Sequence, residues 1–127
     1  MVSESEDHFI YVANNKGLLE YDGSHWTLYK TPNESIMRSV KAQGDRVYTG
    51  CYMDFGYWLR DDTGQLNYTS IVKDSDFKLQ EDEQFWNIIV KNDYVLFQSL
   101  SRIYSYDIET GSITQIAEQT EINKFFQ

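Results

Sequence analysis

Three short apolar runs constrain this sequence more than anything else in it. Ile10-Tyr11-Val12-Ala13, Val47-Tyr48-Thr49-Gly50 and Val95-Leu96-Phe97-Gln98 align with one another, 37 residues apart (10 to 47) and then 48 apart (47 to 95). After a turn, each is followed by an aromatic run carrying Tyr21, Tyr57-Trp58 or Tyr104 and Tyr106. Each aromatic run leads into a turn with acidic residues and Gly (Asp22-Gly23, Asp62-Thr63-Gly64, Glu109-Thr110-Gly111) and then into a closing strand. Ile36 to Ala42 and Phe85 to Val90 add a further strand ahead of the second and third units. Runs this short, rich in β-branched and aromatic residues and bounded by Asn, Asp and Gly, read as strands of tight antiparallel meanders. The stretch from Arg46 to Leu59 shows the plan most plainly, as two adjacent strands joined by a tight connection.

One four-stranded meander has two apolar faces and cannot bury both by itself; stacking on its neighbours does so. Short antiparallel strands recurring at this period are therefore the signature of propeller blades. The expected fold is all-β, a partial β-propeller of about three blades. Residues 1–8 are expected to be a disordered N-terminal segment. Residues 9–127 form the partial propeller, with blades at about 9–30, 36–72 and 85–117, and residues 121–127 beginning a further blade. On this reading the chain enters on the second strand of its first blade. The remaining blades of a longer propeller, or a second copy of the chain, would then cover its open ends. The acidic stretch Asp74 to Gln84 reads as an exposed loop.

Composition excludes several classes of function. With 20 acidic against 11 basic side chains, the net charge of −9 repels a phosphate backbone and offers no basic patch to an anionic membrane. Cys51 is the only cysteine, so neither an intrachain disulfide nor a cysteine zinc site is available. The histidines, His8 and His25, have no metal-ligand spacing, and the acidic run lacks the glycine and ligand pattern of a calcium loop. No cofactor or metal is expected. No apolar run is long enough to span a bilayer as a helix, and Met1 to Asp7 has no apolar core of the kind a signal peptide carries.

No pairing of nucleophile, base or acid emerges from spacing. Cys51, between aromatics in a strand, reads as a small core residue. Arg38 is the charged residue inside an apolar strand; as part of the first strand of its blade it should lie near the propeller axis, where its side chain can meet a ligand or pair with Asp54. Trp26, Trp58 and Trp86 can stack on sugars or pack between blades. The candidate ligand-binding residues are Arg38, Asp54 and Trp58. Catalytic residues are not assigned.

Ile10 to Gly23, with Trp26 and Tyr29 after it, resembles the repeats of two-component regulator propellers. Ile36-Met37-Arg38-Ser39-Val40, followed by Tyr48 to Trp58, is similar to the same family as found in Bacteroidetes. The likeness covers Phe9 to about Ile71 and is weaker from Tyr94 to Ile116, where Ser99-Leu100-Ser101 stands in place of the expected glycine. The resemblance implies an exported, periplasmic sensor region, usually followed by a triple-tyrosine domain, a membrane helix and a histidine kinase or LuxR-type output. It implies non-enzymatic recognition of an oligosaccharide or other small ligand, or signal relay. A structural or protein-interaction scaffold is the alternative, and a glycan hydrolase or lyase propeller is a third reading by analogy of fold.

Overall fold

The computed structural model describes residues 1–31, 34–74, 79 and 83–118. Among these the chain forms three four-stranded antiparallel sheets, stacked face to face as propeller-like blades. Blade 1 contains β1 (Val2–Glu4), β2 (Ile10–Asn14), β3 (Gly17–Tyr21) and β4 (Trp26–Tyr29). Blade 2 contains β5 (Met37–Gln43), β6 (Arg46–Cys51), β7 (Asp54–Arg60) and β8 (Leu66–Ser70), closed by the single helical turn α1 (Ile71–Asp74). Blade 3 contains β9 (Asn87–Val90), β10 (Tyr94–Gln98), β11 (Arg102–Asp107) and β12 (Ile113–Glu118). Within each sheet every strand pairs with its neighbour in the chain.

Residues 1–8 differ from expectation. Val2–Glu4 pairs with β2 in the register Val2 with Val12, Ser3 with Tyr11 and Glu4 with Ile10. Blade 1 is therefore four-stranded, and the chain enters on its first strand. The segment can be polar and still ordered, because hydrogen bonds rather than apolar burial hold it in place. The Ala13 N–H donates to the Met1 carbonyl at 3.0 Å, and the Ser3 hydroxyl accepts the Ala42 N–H of β5 at 3.0 Å. The first strands lie side by side, β1 by β5 and β5 by β9. The further blade expected at 121–127 lies outside the described residues.

The third turn of every blade uses one device. Asp22 accepts the N–H groups of Ser24 and His25, Asp61 those of Thr63 and Gln65, and Asp107 those of Glu109 and Thr110. A carboxylate that bonds the backbone two or three residues on takes the place of a backbone turn bond. At Asp61 the side-chain bonds from the Thr63 hydroxyl and the Asn67 amide weigh most and the backbone bonds add to them, holding that carboxyl at about 2, while the backbone bonds of His25 and Ser24 hold Asp22 below the usual carboxyl range.

The pleat of β6 and β7 distributes side chains between the two inter-blade cores. Val47 and Cys51, with Trp58, point toward blade 1 and join Tyr11, Leu18, Met37 and Val40. Tyr48 and Phe55 point the other way and join Phe85, Val95, Phe97 and Tyr104. Phe55 stacks on Phe97 with ring centres 4.2 Å apart and meets Phe85 edge-on at 4.8 Å. Each fully buried side chain of this size contributes about 1.5–3 kcal/mol relative to exposure, so these two cores hold the blades together. Gly50 permits the close approach of the Phe85 backbone to blade 2. A Cβ there would sit 2.7 Å from both the Cβ and the carbonyl oxygen of Phe85.

Candidate functional site

An antiparallel meander returns alternate connections to the same end. The β6–β7 and β10–β11 turns, the start of β5 and the approach to β9 accordingly share one end of the sheets, and Arg38 and Asp54 lie there.

Arg38 sits on a bulge. Met37 pairs with Cys51 and Ser39 with Gly50, leaving Arg38 as the extra residue between them. The bulge turns its side chain toward blade 3. Its Nε donates to Gln84 Oε1 at 2.6 Å, and the guanidinium lies 4.6 Å from the centre of the Trp86 ring. Arg38 does not pair with Asp54, contrary to the structural pairing expected from sequence.

Asp54 closes the two-residue turn Tyr52–Met53, in which Met53 adopts a left-handed φ of 57°. Its carboxylate faces blade 1. Oδ2 accepts the Tyr68 hydroxyl at 2.9 Å and Oδ1 accepts the Ser70 hydroxyl at 2.6 Å. Ser70 in turn accepts the Lys73 N–H at 3.1 Å as the cap of α1, so the helical turn and the carboxylate are wired through one hydroxyl. Burial pushes the Asp54 carboxyl above its ordinary value of 3.8; the bonds from Ser70 and Tyr68 and the charge of Lys73 oppose this only in part. Asp54 is 8% exposed, and that small exposure opens into a cleft of about 320 Å³ between the β4–β5 connection and the end of β8. Thr31, Ser35, Tyr68 and Ser70 line the cleft with hydroxyls; Asp54, Asp74 and Lys73 bring charge to it.

Trp58, the third candidate, is not available to a ligand. It is 2% exposed, its indole N–H donates to Thr49 Oγ1 at 3.0 Å, and Tyr29 and Tyr68 cover it with ring centres at 5.9 and 5.0 Å. It lies on the face of β7 that packs on blade 1, so it belongs to the core. The exposed indoles are Trp26, stacked on Tyr21 at 4.7 Å, and Trp86.

Cys51 is buried, and desolvation pushes its thiol up to about 12, which suits a core residue. Among the described residues no group of three His, Cys, Asp or Glu is placed to hold a metal ion.

Two further carboxylates, Glu83 and Glu20, are buried, and no spacing in the sequence marks their partners. Glu83, inside the acidic stretch, is buried rather than exposed. It accepts the Tyr104 hydroxyl on both oxygens at 2.8 and 3.0 Å, the Ser99 hydroxyl at 3.1 Å, and faces Arg102 at 3.4 Å. Glu20 of β3 accepts the Tyr11 hydroxyl at 2.8 Å and pairs with Arg60 of blade 2. The common pattern is a Tyr–Glu–Arg triad. In chain order the members are scattered, so no spacing announces it. No family model matches the chain, and no curated protein matches it either.

Proposed function

We propose that this chain is part of the extracytoplasmic ligand-sensing propeller of a two-component or LuxR-type regulator, and that the cleft between blade 2 and the β4–β5 connection takes a small polyhydroxylated ligand, such as one ring of an oligosaccharide, without turning it over. One observation carries the reading: a nearly buried carboxylate, Asp54, opens into a hydroxyl-lined cleft whose walls come from blade 2 and from the connection that joins it to blade 1. A ligand held there touches blade 2 and the inter-blade connection together, so its binding free energy acts on how that connection sits on the blade, which is what a relay of signal needs. The family resemblance of residues 9–71 points the same way.

Thermal-shift screening of mono- and oligosaccharides, followed by calorimetry on any hit, tests this. A saturable hit that weakens at least tenfold in Asp54→Asn supports it. Hits that bind Asp54→Asn as tightly as the parent chain, or a panel with no hit at millimolar concentration, refute the assignment. A protein-interaction scaffold is the second reading, favoured by the outer face of blade 1, where Val2, Trp26 and Leu28 are exposed.

A further inference from the structure

We propose that Arg38 and Trp86 form a second binding site, separate from the Asp54 cleft, for a small carboxylate carried on a flat apolar body. A guanidinium carries five N–H bonds in a planar fork. In Arg38 only Nε is engaged, on Gln84; among the described residues neither Nη makes a hydrogen bond, and Arg38 has no carboxylate partner. Arg60 and Arg102, by contrast, each direct an Nη to a buried glutamate. The terminal edge of Arg38, with two parallel N–H vectors, matches a carboxylate and is the commonest way a planar anion is bound.

The fork is held in place before any ligand arrives. The bulge at Arg38 sets its direction, Gln84 fixes Nε, and Gln84 is itself fixed by its bridge to Tyr52. The indole of Trp86 carries the cation at 4.6 Å, an arrangement that stabilises the charge while leaving the edge of the guanidinium free. Exposed apolar side chains adjoin this plate. Trp86 is 40% exposed, Tyr52 41% and Leu100 79%, and Ile36 is joined to the group by the Tyr52 N–H bond to its carbonyl at 3.1 Å. Gln84 and Trp86, which both touch Arg38, border with Leu100, Ser99 and Ser101 a neighbouring shallow depression of about 50 Å³, large enough for the edge of a ring but not for a whole sugar; Arg38 stands at its side and does not line it. A cation with a free fork next to exposed aromatic surface selects a ligand with one carboxylate and one flat apolar body. Glu83 lies beside the depression, but its carboxylate is turned onto Tyr104, Ser99 and Arg102. Because the chain carries net charge −9, long-range attraction does not assist; the site works by contact, and an affinity in the millimolar range, roughly 1–10 mM, is expected.

The test is a ¹⁵N-edited NMR titration of the whole chain with benzoate, with benzamide as its uncharged counterpart and inorganic phosphate as a non-planar anion. The Trp86 indole N–H is assigned by its loss in Trp86→Phe. The expected result is that the Trp86 indole and Arg38 Nε–H signals move together and saturate with benzoate, move little with benzamide, and respond to phosphate at least tenfold more weakly. Arg38→Lys keeps the charge and removes the fork, and should weaken benzoate about tenfold while the rest of the spectrum stays in place. Benzamide or phosphate acting as well as benzoate, Arg38→Lys binding like the parent, or no saturable shift with benzoate would each overturn the proposal.

Discussion

Gly50→Ala is the sharpest probe of how the blades are joined. The added methyl carbon would lie 2.7 Å from the Phe85 Cβ and 2.7 Å from the Phe85 carbonyl oxygen, and closer still to Ser39 Oγ. Ordinary contacts of these kinds need roughly 3.2–3.8 Å, so the overlap approaches an ångström. Ser39 can rotate away, but its hydroxyl donates to the Phe85 carbonyl at 2.7 Å, and rotation breaks that buried bond at about 1 kcal/mol. The Phe85 backbone has no such freedom, because its N–H is held by the Cys51 carbonyl at 3.2 Å. Relief therefore requires blade 3 to back away from blade 2, with an overpacking cost of about 1–3 kcal/mol. Together these terms give about 2–4 kcal/mol, a large share of the stability of an ordinary domain. Urea unfolding followed by fluorescence and by circular dichroism measures it. The Gly50→Ala transition should move to lower urea, and blade 3 should unfold ahead of blades 1 and 2, separating the two probes. A loss below about 0.5 kcal/mol with coincident probes would show that the inter-blade contact at Gly50 is not tight and would refute the argument.

Two further outcomes follow from the titrating groups. The folded Asp54 carboxyl titrates above 3.8, so its ionisation opposes folding; the stability it supports is complete below 3.8 and is lost as pH climbs through the folded value. The stability of Asp54→Asn relative to the parent should therefore rise over that window and then level off in urea titrations run from acid to neutral pH; a flat or falling difference contradicts the burial argument. Cys51, with its thiol at about 12, should react with a disulfide reagent at pH 8 roughly three orders of magnitude more slowly than an exposed cysteine, and at full speed in denaturant. Fast labelling of the folded chain would show that the blade 1–blade 2 core is open.

The architecture was legible because it is written in local signals. Alternating aromatic and β-branched runs between Asn, Asp and Gly turns define strands and their period, and stacking follows from the two apolar faces of each meander. The polar strand β1 was not legible, since Ser3 and Glu4 announce no buried face; backbone ladder bonds and the Ser3 hydroxyl place it. The turn device is legible in two blades, where Asp22 and Asp61 open the turn runs ending at Ser24 and Gly64. In the third, Asp107 makes the bonds ahead of the Glu109-Thr110-Gly111 turn, because which side chain folds back depends on strand ends that periodicity locates only approximately. The site was legible in part. Asp54 opens into the cleft, but the bulge that turns Arg38 away from it leaves no mark in the sequence. Trp58 and Trp86 exchange roles, since residue parity along β7 decides burial and neither residue type nor neighbourhood reveals which face will be covered. The burial of Glu83 depends on Tyr104 and Arg102, about twenty residues on, and a run of acids gives no hint of them.

The exclusive pairing of chain neighbours has a consequence for how the molecule is made. Closing each hairpin costs little loop entropy, so a blade can assemble as soon as its strands leave the ribosome, without waiting for distant sequence. The face of Phe55 and Tyr48 must wait, because its cover arrives with Phe85 and Phe97. Phe85 follows Ser70, the last residue of β8, by 15 residues (85 − 70), roughly 1–3 s of synthesis at about 5–20 residues per second. For that interval blade 2 presents a wet aromatic sheet, and the arrival of β9 ends the exposure by latching Phe85 onto Ser39 and Cys51.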